Sequence, residues 1–343
     1  MYQLALKTAI TLLIGIFGAA VAFASHLPMP FLLGAILSVS MAAVLGVAVT
    51  VPETVRLPML VIFGLLLGST ITPHLLYGAW INFPIVLLLL PYVLFVAGAL
   101  YWGLKKFAGF ESATAFFSAV PGGVNEMMLM GKHYNADERA LAVHQTVRLF
   151  LVVTFVAGVF QLSTGMVRAP FPLLGMHVAT PRDYGMQLAI GALGAGVALL
   201  IRVPAGVLLG PFVLNAIVHF AGLTAVKPDA TLALLAQIVV GASIGQRFAA
   251  FPPPALLASA RTAVISTVVL LAASAATAVI GSLISGYPFL LLFLAFSPGG
   301  IAEMGLIALS AGYDAGFVSI MQICRFMFSV SLAAGLYRFV RNY

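Results

Sequence analysis

One stretch of this chain occurs twice, and the repetition constrains the fold more than any other feature of the sequence. Residues 121–148 read PGGVNEMMLMGKHYNADERALAVHQTVR, and residues 298–325 read PGGIAEMGLIALSAGYDAGFVSIMQICR. The offset is constant at 177 (298 − 121 = 177), without insertion or deletion, so that Arg148 recurs as Arg325. A duplicated, charge-bearing stretch in an otherwise apolar chain is where we expect the function to reside.

The scarcity of charge around this stretch indicates a membrane protein. The 343 residues are 62% hydrophobic and only 7% charged, whereas soluble domains are about 25% charged. Such a chain cannot cover itself against water, so the lipid bilayer is its expected partner. The net charge of +7 could suggest nucleic acid, but no basic cluster alternates with aromatic residues, and no nucleic-acid partner is expected.

Apolar runs follow one another in the same order in both halves, which predicts an all-α polytopic membrane protein. We expect a first repeat over residues 1–164, a linker over 165–183 and a second repeat over 184–343. The expected spans are at about 8–24, 31–50, 58–73, 82–104 and 138–164, then at about 185–201, 206–223, 230–246, 259–281 and 315–337.

Each half also contains a Pro-Gly-Gly break after a short apolar arm, 112–121 or 288–298. These arms are too short to cross a hydrocarbon core of ~30 Å as helices. Irregular backbone in a membrane is tolerated where it is buried in protein or lines a cavity. The pattern therefore predicts a re-entrant hairpin or a broken helix in each half, and a full crossing is the alternative.

The distribution of basic residues favours two inverted repeats of about five transmembrane helices plus one Pro-Gly-Gly segment each. With both termini inside, three basic residues fall outside (Arg168, Arg182, Lys227) and eleven fall inside (Lys7, Arg56, Lys105, Lys106, Lys132, Arg139, Arg202, Arg247, Arg261, Arg338, Arg341). If the breaks cross fully, the repeats are parallel and the count is nine to five. Cytoplasmic loops favour Lys and Arg, so the inverted arrangement is preferred.

Glu126 and Glu303 are the candidate ion-coupling residues. Each follows its Pro-Gly-Gly break in the first turn of the next helical arm. Ionisable groups inside a membrane are costly, so a proton- or cation-carrying role is the default interpretation. The alternative is structural, because a carboxylate can also cap the free amides at a helix start.

Arg148 and Arg325 are candidate anion-binding residues, since a guanidinium group fits carboxylate or phosphate bidentately. Arg148 lies eleven residues after Asp137, a rise of ~16 Å, which is about half of the hydrocarbon core. The alternative is a salt bridge from each arginine to a glutamate of either repeat. Asp137 and its counterpart Asp314 are interpreted as helix N-caps.

The remaining candidate substrate-binding residues are polar groups and glycines near these charges. Glycines let backbone N–H groups approach a ligand, and a helix start carries partial positive charge. The second copy has Ala302 where the first has Asn125, so the two sites need not be equivalent. The candidates are Gly122, Gly123, Asn125, Gln145, Gly299, Gly300 and Gln322.

A second repeated motif predicts close helix packing. Gly64 and Gly68 are four residues apart, and Gly241 and Gly245 repeat them at the same offset of 177 (241 − 64 = 177). Small residues at this spacing allow two helices to approach closely. The motif permits a homodimer but does not require one.

No constellation for enzyme chemistry is apparent, so the chain is not expected to be an enzyme. The single cysteine, Cys324, excludes an internal disulfide and a CxxC metal site. The six histidines show no ligand-like spacing, so neither a metal nor another cofactor is expected.

The doubled PGG-x-x-E-M stretch, followed by Asp and then by Gln-x-x-Arg, resembles the AbrB duplication family of Gram-negative membrane proteins. The resemblance covers essentially the whole chain and implies a bacterial cytoplasmic (inner) membrane location. Members carry labels as regulators of gene expression or as ammonia monooxygenases, and these residues support neither label. The inverted halves are also distantly similar to the cation–proton antiporter and anion-transporter superfamily, which implies transport by analogy.

Three functions compete at this point. The first is a secondary transporter that moves a small, anionic solute by alternating access, coupled to a proton or cation. The second is a membrane-embedded regulator of gene expression that acts through a partner. The third is a membrane oxidoreductase, against which the missing metal-ligand set argues.

Overall fold

The computed structural model describes residues 2–71, 83–164, 180–224, 226–250 and 253–340, and this part of the chain is helical without a β-strand. A 3₁₀ helix, Gln246–Ala250, follows the tenth of fourteen α-helices. These are α1 (Tyr2–Ala24), α2 (Pro30–Val44), α3 (Glu53–Gly68), α4 (Phe83–Phe107), α5 (Ser112–Ala119), α6 (Val124–His133), α7 (Glu138–Thr164), α8 (Pro181–Leu200), α9 (Gly206–Phe220), α10 (Ala230–Gly245), α11 (Pro253–Ser285), α12 (Phe289–Phe296), α13 (Ile301–Ser310) and α14 (Ala315–Val340). The predicted all-α class is confirmed.

The described helices form two series of seven, α1–α7 and α8–α14, in which four of the seven pairs have the same length. Both second helices have 15 residues and both third helices have 16. The helices that flank the Pro-Gly-Gly breaks have 8 residues before the break and 10 after it. The sequence duplication is therefore also a duplication of helices, while the inversion of the two halves stays a prediction.

Seven of the described helices are long and apolar enough to cross a bilayer. α2, α3 and α9 have 15 or 16 residues, fewer than the ~20 that a crossing helix needs. The predicted count of five crossings per half therefore stays a prediction. The crossing candidates are Gln3–Ala24, Phe83–Phe107, Glu138–Ser163, Pro181–Leu200, Ala230–Ala250, Ala260–Ser285 and Ala315–Tyr337. The chain is a multi-pass helical membrane protein.

The start of α8 differs from the predicted linker, 165–183. Thr180 and Asp183 form a capping box in which the Thr180 N–H donates to Asp183 Oδ2 at 2.8 Å. Pro181 occupies the first helical position, which its fixed φ favours. The last three residues of the predicted linker, 181–183, therefore belong to α8, and residues 165–179 lie outside the described part of the chain.

The chain divides into two compact units, each of which combines segments from both halves of the sequence. The first unit comprises Met1–Gly78, Ala157–Ala250 and Gly305–Phe317. The second unit comprises Ala79–Val156, Phe251–Met304 and Val318–Tyr343. The sequence repeats and the spatial units are thus different divisions of one chain.

In the first unit, the repeated glycine motifs bring helices of opposite halves together. A Cβ placed at Gly68 of α3 would lie 2.5 Å from the Phe212 carbonyl oxygen on α9. A Cβ placed at Gly241 of α10 would lie 2.6 Å from the Leu32 carbonyl oxygen on α2. The predicted packing role of these glycines is confirmed, and their partners lie within the same chain, so the motif does not argue for a dimer.

In the second unit, an aromatic cluster holds α5 and α6 against α14. Phe117, Tyr134 and Tyr337 form a contiguous group, with ring centroids 5.7 Å apart for Phe117–Tyr134 and 4.6 Å apart for Tyr134–Tyr337. Phe117 is fully buried and Tyr337 nearly so. The short helices beside the first break are therefore anchored by aromatic packing.

Candidate functional site

The two Pro-Gly-Gly breaks share one tight turn. In each, the first glycine donates its N–H to the carbonyl two residues earlier, Gly122 to Val120 at 2.9 Å and Gly299 to Ser297 at 3.0 Å. Proline at the centre of this turn has no N–H to donate and ends the preceding helix. The second glycines differ, with φ −67° at Gly123 and φ +97° at Gly300, so the two interruptions are similar but not identical.

The glycines of the breaks are covered by side chains of the helices that follow. A Cβ at Gly122 would meet the side chain of Met127, and a Cβ at Gly299 would meet that of Met304. Gly300 has φ +97°, a conformation that a residue with a Cβ rarely adopts. The glycines are thus required by close packing and by backbone conformation.

Both candidate ion-coupling glutamates lie in the first turn of a helix, as predicted. Their carboxylates fold back over the preceding break, because a Cβ at Gly123 would collide with Glu126 Oε2 and one at Gly300 with Glu303 Oε2. Glu126 is half-buried, whereas Glu303 is buried. A negative charge in this position is stabilised by the positive end of the helix dipole.

Gln145 and Gln322 make the same contact in the two copies. Each donates its side-chain amide at 2.7 Å to a carbonyl of the short helix before the break, Phe117 or Leu294. Both glutamine side chains are fully buried. This bond ties each long helix to its break, so that the two glutamines shape the site whether or not they also touch a ligand.

Arg148 wraps around the first break. Its side chain is 2% exposed and donates through Nη1 to the Val120 carbonyl at 3.1 Å and through Nη2 to the Gly122 carbonyl at 3.3 Å. A longer contact of 3.5 Å reaches the Ser118 carbonyl. The guanidinium group therefore satisfies backbone that the break exposes.

Arg325, the counterpart of Arg148, does not wrap around its own break. It is 4% exposed, and its Nη1 donates to the Pro121 carbonyl of the first break. Its Nη2 donates to Gln322 Oε1 at 2.7 Å, and the Ser329 hydroxyl donates to the same Pro121 carbonyl at 3.3 Å. Both arginines thus meet one segment of three residues, 120–122.

Gln322 explains why the two arginines differ. Its amide also reaches the Ala295 carbonyl at 3.3 Å and the Ser297 carbonyl at 2.7 Å, which correspond to two of the three carbonyls that Arg148 contacts in the first copy. At the second break a neutral amide therefore takes these two carbonyls, and Arg325 extends to Pro121. The result is one asymmetric site at the first break instead of two equal sites.

The partners of the two buried arginines at this site are unusual. Neither Arg148 nor Arg325 forms an ion pair with a carboxylate within the described part of the chain; the ion pairs Arg56–Glu53 at 2.9 Å and Lys132–Glu138 at 3.6 Å involve other arginine and lysine residues. The predicted alternative of an arginine–glutamate salt bridge is therefore not what the geometry shows. The partners of both guanidinium groups are carbonyl and amide oxygens, which carry only partial negative charge.

The energetic cost of this arrangement is substantial. Burying one uncompensated charge costs several kcal/mol. Because neighbouring Cα atoms are 3.8 Å apart, donors to adjacent carbonyls lie within about 10 Å of each other, and the two guanidinium groups interact electrostatically. At that distance, two positive charges repel by roughly 2 kcal/mol in a medium of effective dielectric constant ~20.

Several polar atoms around the two breaks have no hydrogen-bond partner among the described residues. They are buried, and each could still bind a ligand or water. They are Ser118 Oγ, Gln145 Oε1, Arg148 Nε, Arg325 Nε and Ser297 Oγ. Unused donors on both arginines leave each guanidinium group with capacity for an anion.

The other charged and polar candidates lie at the starts of helices. Asn125 is exposed in the first turn of α6. Asp137 is exposed and accepts from the Arg139 and Ala140 N–H groups at 2.9 and 3.1 Å. Asp314 accepts from the Phe317 N–H at 2.9 Å. The predicted capping roles of both aspartates are confirmed.

Two buried residues near the arginines were not among the predicted site residues. Tyr92 of α4 is buried near both arginines, and its hydroxyl lies 2.9 Å from Ser274 Oγ. Both nitrogens of fully buried His144 lack a hydrogen-bond partner in the described chain. The sequence signal that could have identified Tyr92 is the occurrence of a tyrosine and a serine inside long apolar helices. No cluster of metal-binding side chains occurs among the residues described.

The Tyr92–Ser274 pair gives the first testable prediction. Ser274 donates to the Leu270 carbonyl at 2.9 Å, so its oxygen accepts from Tyr92. Tyr92→Phe removes this buried bond and should lower the free energy of unfolding by about 1 kcal/mol. Ser274→Ala should cost a similar amount, and the double variant should cost no more than either single one. Thermal unfolding of the three variants tests this, and additive losses would show that the pair is not coupled.

Comparisons with known proteins find similarity over most of the chain. A family model described as "Transition state regulatory protein AbrB" matches residues 31–341. An Escherichia coli K12 protein named "Putative regulator AbrB" is 28% identical over 333 residues, 93% of this chain and 92% of that protein. "Uncharacterized protein YhjN" of Bacillus subtilis 168 is 26% identical over 278 residues, 77% of this chain and 72% of that protein. No solved structure matches.

Proposed function

Since the chain belongs to the AbrB family and is a multi-pass helical membrane protein, we propose that it is a secondary transporter that moves a small anionic solute across the bacterial inner membrane. The observation that carries the proposal is the pair of buried arginines at the first break, neither of which is paired with a carboxylate in the described chain. Bidentate binding of an anion would compensate charge that the fold leaves uncompensated.

Alternating access would operate through the duplicated halves. In transporters built from repeats, interrupted helices hold the substrate near the middle of the membrane, and one part of the protein rocks against another. Here Arg325 donates to the Pro121 carbonyl of the other half. Pro121 and Arg325 belong to the same compact unit, so an anion that competes for Arg325 would change how the two halves pack within that unit.

Glu126 and Glu303 would carry the coupling proton or cation. Each carboxylate lies over the break that precedes it, so that of Glu126 lies beside the first break, which the substrate would touch. The half-buried Glu126 is the more accessible of the two. Uptake or loss of a proton there would change the charge beside the anion and so link the two binding events.

Ligand-dependent stabilisation of the purified protein tests the proposal. A ligand that binds the folded state raises its apparent stability. We expect an organic anion to raise the unfolding temperature of the wild type, and Arg148→Ala to abolish this shift. In a Glu126→Gln, Glu303→Gln double variant, anion binding should lose its dependence on pH or Na⁺.

Arg56→Gln and Glu138→Gln are the matched controls, because they remove charges of the same type from ion pairs away from the site. Both should respond to the anion as the wild type does. If wild type and Arg148→Ala are equally unresponsive to a panel of organic anions, amines and Na⁺, the anion transporter is contradicted.

A membrane-embedded regulator of gene expression that acts through a partner is the second candidate. The family description and the name of the E. coli relative support it. It predicts a stable cytosolic partner that co-purifies with the chain, and a change in expression that persists in Arg148→Ala. A transporter instead predicts that any effect on expression depends on Arg148 and on the transported anion.

A further inference from the structure

The charges of the two arginines and the distance between them narrow the chemical class of the substrate. This inference rests on the proposed anion transport. We propose that the site takes a short dicarboxylate, one carboxylate for each of Arg148 and Arg325. The two guanidinium groups are the only buried arginines among the described side chains. Their juxtaposition at one three-residue segment is the observation from which the class of ligand follows.

The charge of the site calls for two negative charges. Arg148 donates only to backbone carbonyls, and Arg325 donates to one carbonyl and one amide oxygen. Neither arginine has a carboxylate partner in the described chain, so a monoanion can pair with only one of them, whereas a dianion supplies one carboxylate to each.

The spacing of the arginines can be spanned by an extended dianion. Arg148 donates to the carbonyls on either side of the one that Arg325 contacts, so their donor atoms lie within about 10 Å of each other. A four-carbon dicarboxylate spans roughly 6 Å between its outer oxygens, and a hydrogen bond of about 2.8 Å at each end reaches nitrogens up to about 12 Å apart. This reach covers the whole range up to that limit, and a compact dianion covers less of it.

The donors that remain on the arginines match this ligand. Arg148 Nε and Arg325 Nε are buried without a hydrogen-bond partner in the described chain. Nε together with a terminal nitrogen forms the edge of a guanidinium group that binds a carboxylate in two parallel bonds. Each arginine can thus take one carboxylate while it keeps a contact to the break.

Succinate, butyrate and sulfate are the probes that test the inference with the full-length protein. Succinate and butyrate have four carbons each but differ by one charge, and sulfate is a compact dianion. We expect succinate to stabilise the wild type at a concentration about tenfold or more below that needed for butyrate or sulfate, a difference of about 1.4 kcal/mol. Arg325→Gln should remove this preference for succinate while Arg56→Gln keeps it.

The outcomes separate this inference from the proposed function. Arg148-dependent stabilisation by butyrate as strong as that by succinate would overturn the dicarboxylate and leave anion transport standing. Stabilisation by sulfate alone would show that the site prefers a compact dianion. It would also overturn the dicarboxylate and leave anion transport standing. The comparison of three probes on the wild type decides the question even if an arginine variant fails to fold.

Discussion

Arg325→Met is expected to weaken binding of the dianion by roughly 30-fold or more while leaving the fold nearly as stable as the wild type. Truncating one member of a buried charged contact to a ligand costs about 2–5 kcal/mol, which corresponds to a loss of affinity of roughly 30-fold to several thousand-fold. Anion titration of the purified variant measures this loss.

The stability of Arg325→Met separates the two interpretations of the arginine. The variant loses the bonds to Pro121 and Gln322, each worth about 1.5–3 kcal/mol for a charged donor. It also removes the cost of a buried charge and the repulsion from Arg148, together several kcal/mol. We therefore expect a net change within about 2 kcal/mol, because these contributions oppose each other.

A structural role predicts a different result. If Arg325 served mainly to hold the fold, its loss should cost about 3–5 kcal/mol, as breaking a buried ion pair does. Phe117→Ala, in the aromatic cluster of the same unit, provides the reference for such a loss. Unfolding of Arg325→Met as early as that of Phe117→Ala would show that the arginine is primarily structural.

Gly68→Ala and Gly241→Ala should each destabilise the first unit. The added Cβ would lie 2.5 Å from the Phe212 carbonyl oxygen or 2.6 Å from the Leu32 carbonyl oxygen, and neither backbone atom can move without its helix. Overpacking of this kind costs about 1–3 kcal/mol. Thermal unfolding in detergent should show a decrease of about 5 °C for each variant.

Gly196→Ala on α8 is the control for these substitutions. Nothing lies within 4 Å of a Cβ at Gly196, and alanine favours a helix over glycine by about 1 kcal/mol. The control should be as stable as the wild type or more stable. If all three variants behave alike, the close approach of α3 to α9 and of α10 to α2 is not what holds the unit together.

Local features of the chain were predictable because they depend on neighbouring residues. The short helices around each break follow from apolar runs ended by Pro-Gly-Gly, since proline ends a helix and has no N–H to donate. The caps at Asp137 and Asp314 follow from side chains that satisfy free amides at a helix start. The glycine motifs predicted close contacts between helices, although the sequence did not identify α9 and α2 as the partner helices.

The asymmetry of the candidate site was not predictable in this way. The repeat presents Arg148 and Arg325 as equivalents, yet one wraps around its own break and the other reaches the Pro121 carbonyl, 204 residues away in sequence. The difference depends on Gln322, which contacts three carbonyls where Gln145 contacts one. The substitution of Asn125 by Ala302 hinted at inequivalence but not at its form.

Composition and repetition thus establish a helical membrane protein with two related halves and name the charged residues within it. Hydrophobicity and helix punctuation act over a few residues, so the chain order suffices to read them. Which carbonyl a buried donor reaches is decided by packing between distant segments, where each polar group competes for the partners within its range. Only the folded chain therefore reveals that both buried arginines meet at the first break, while a neutral glutamine satisfies the second.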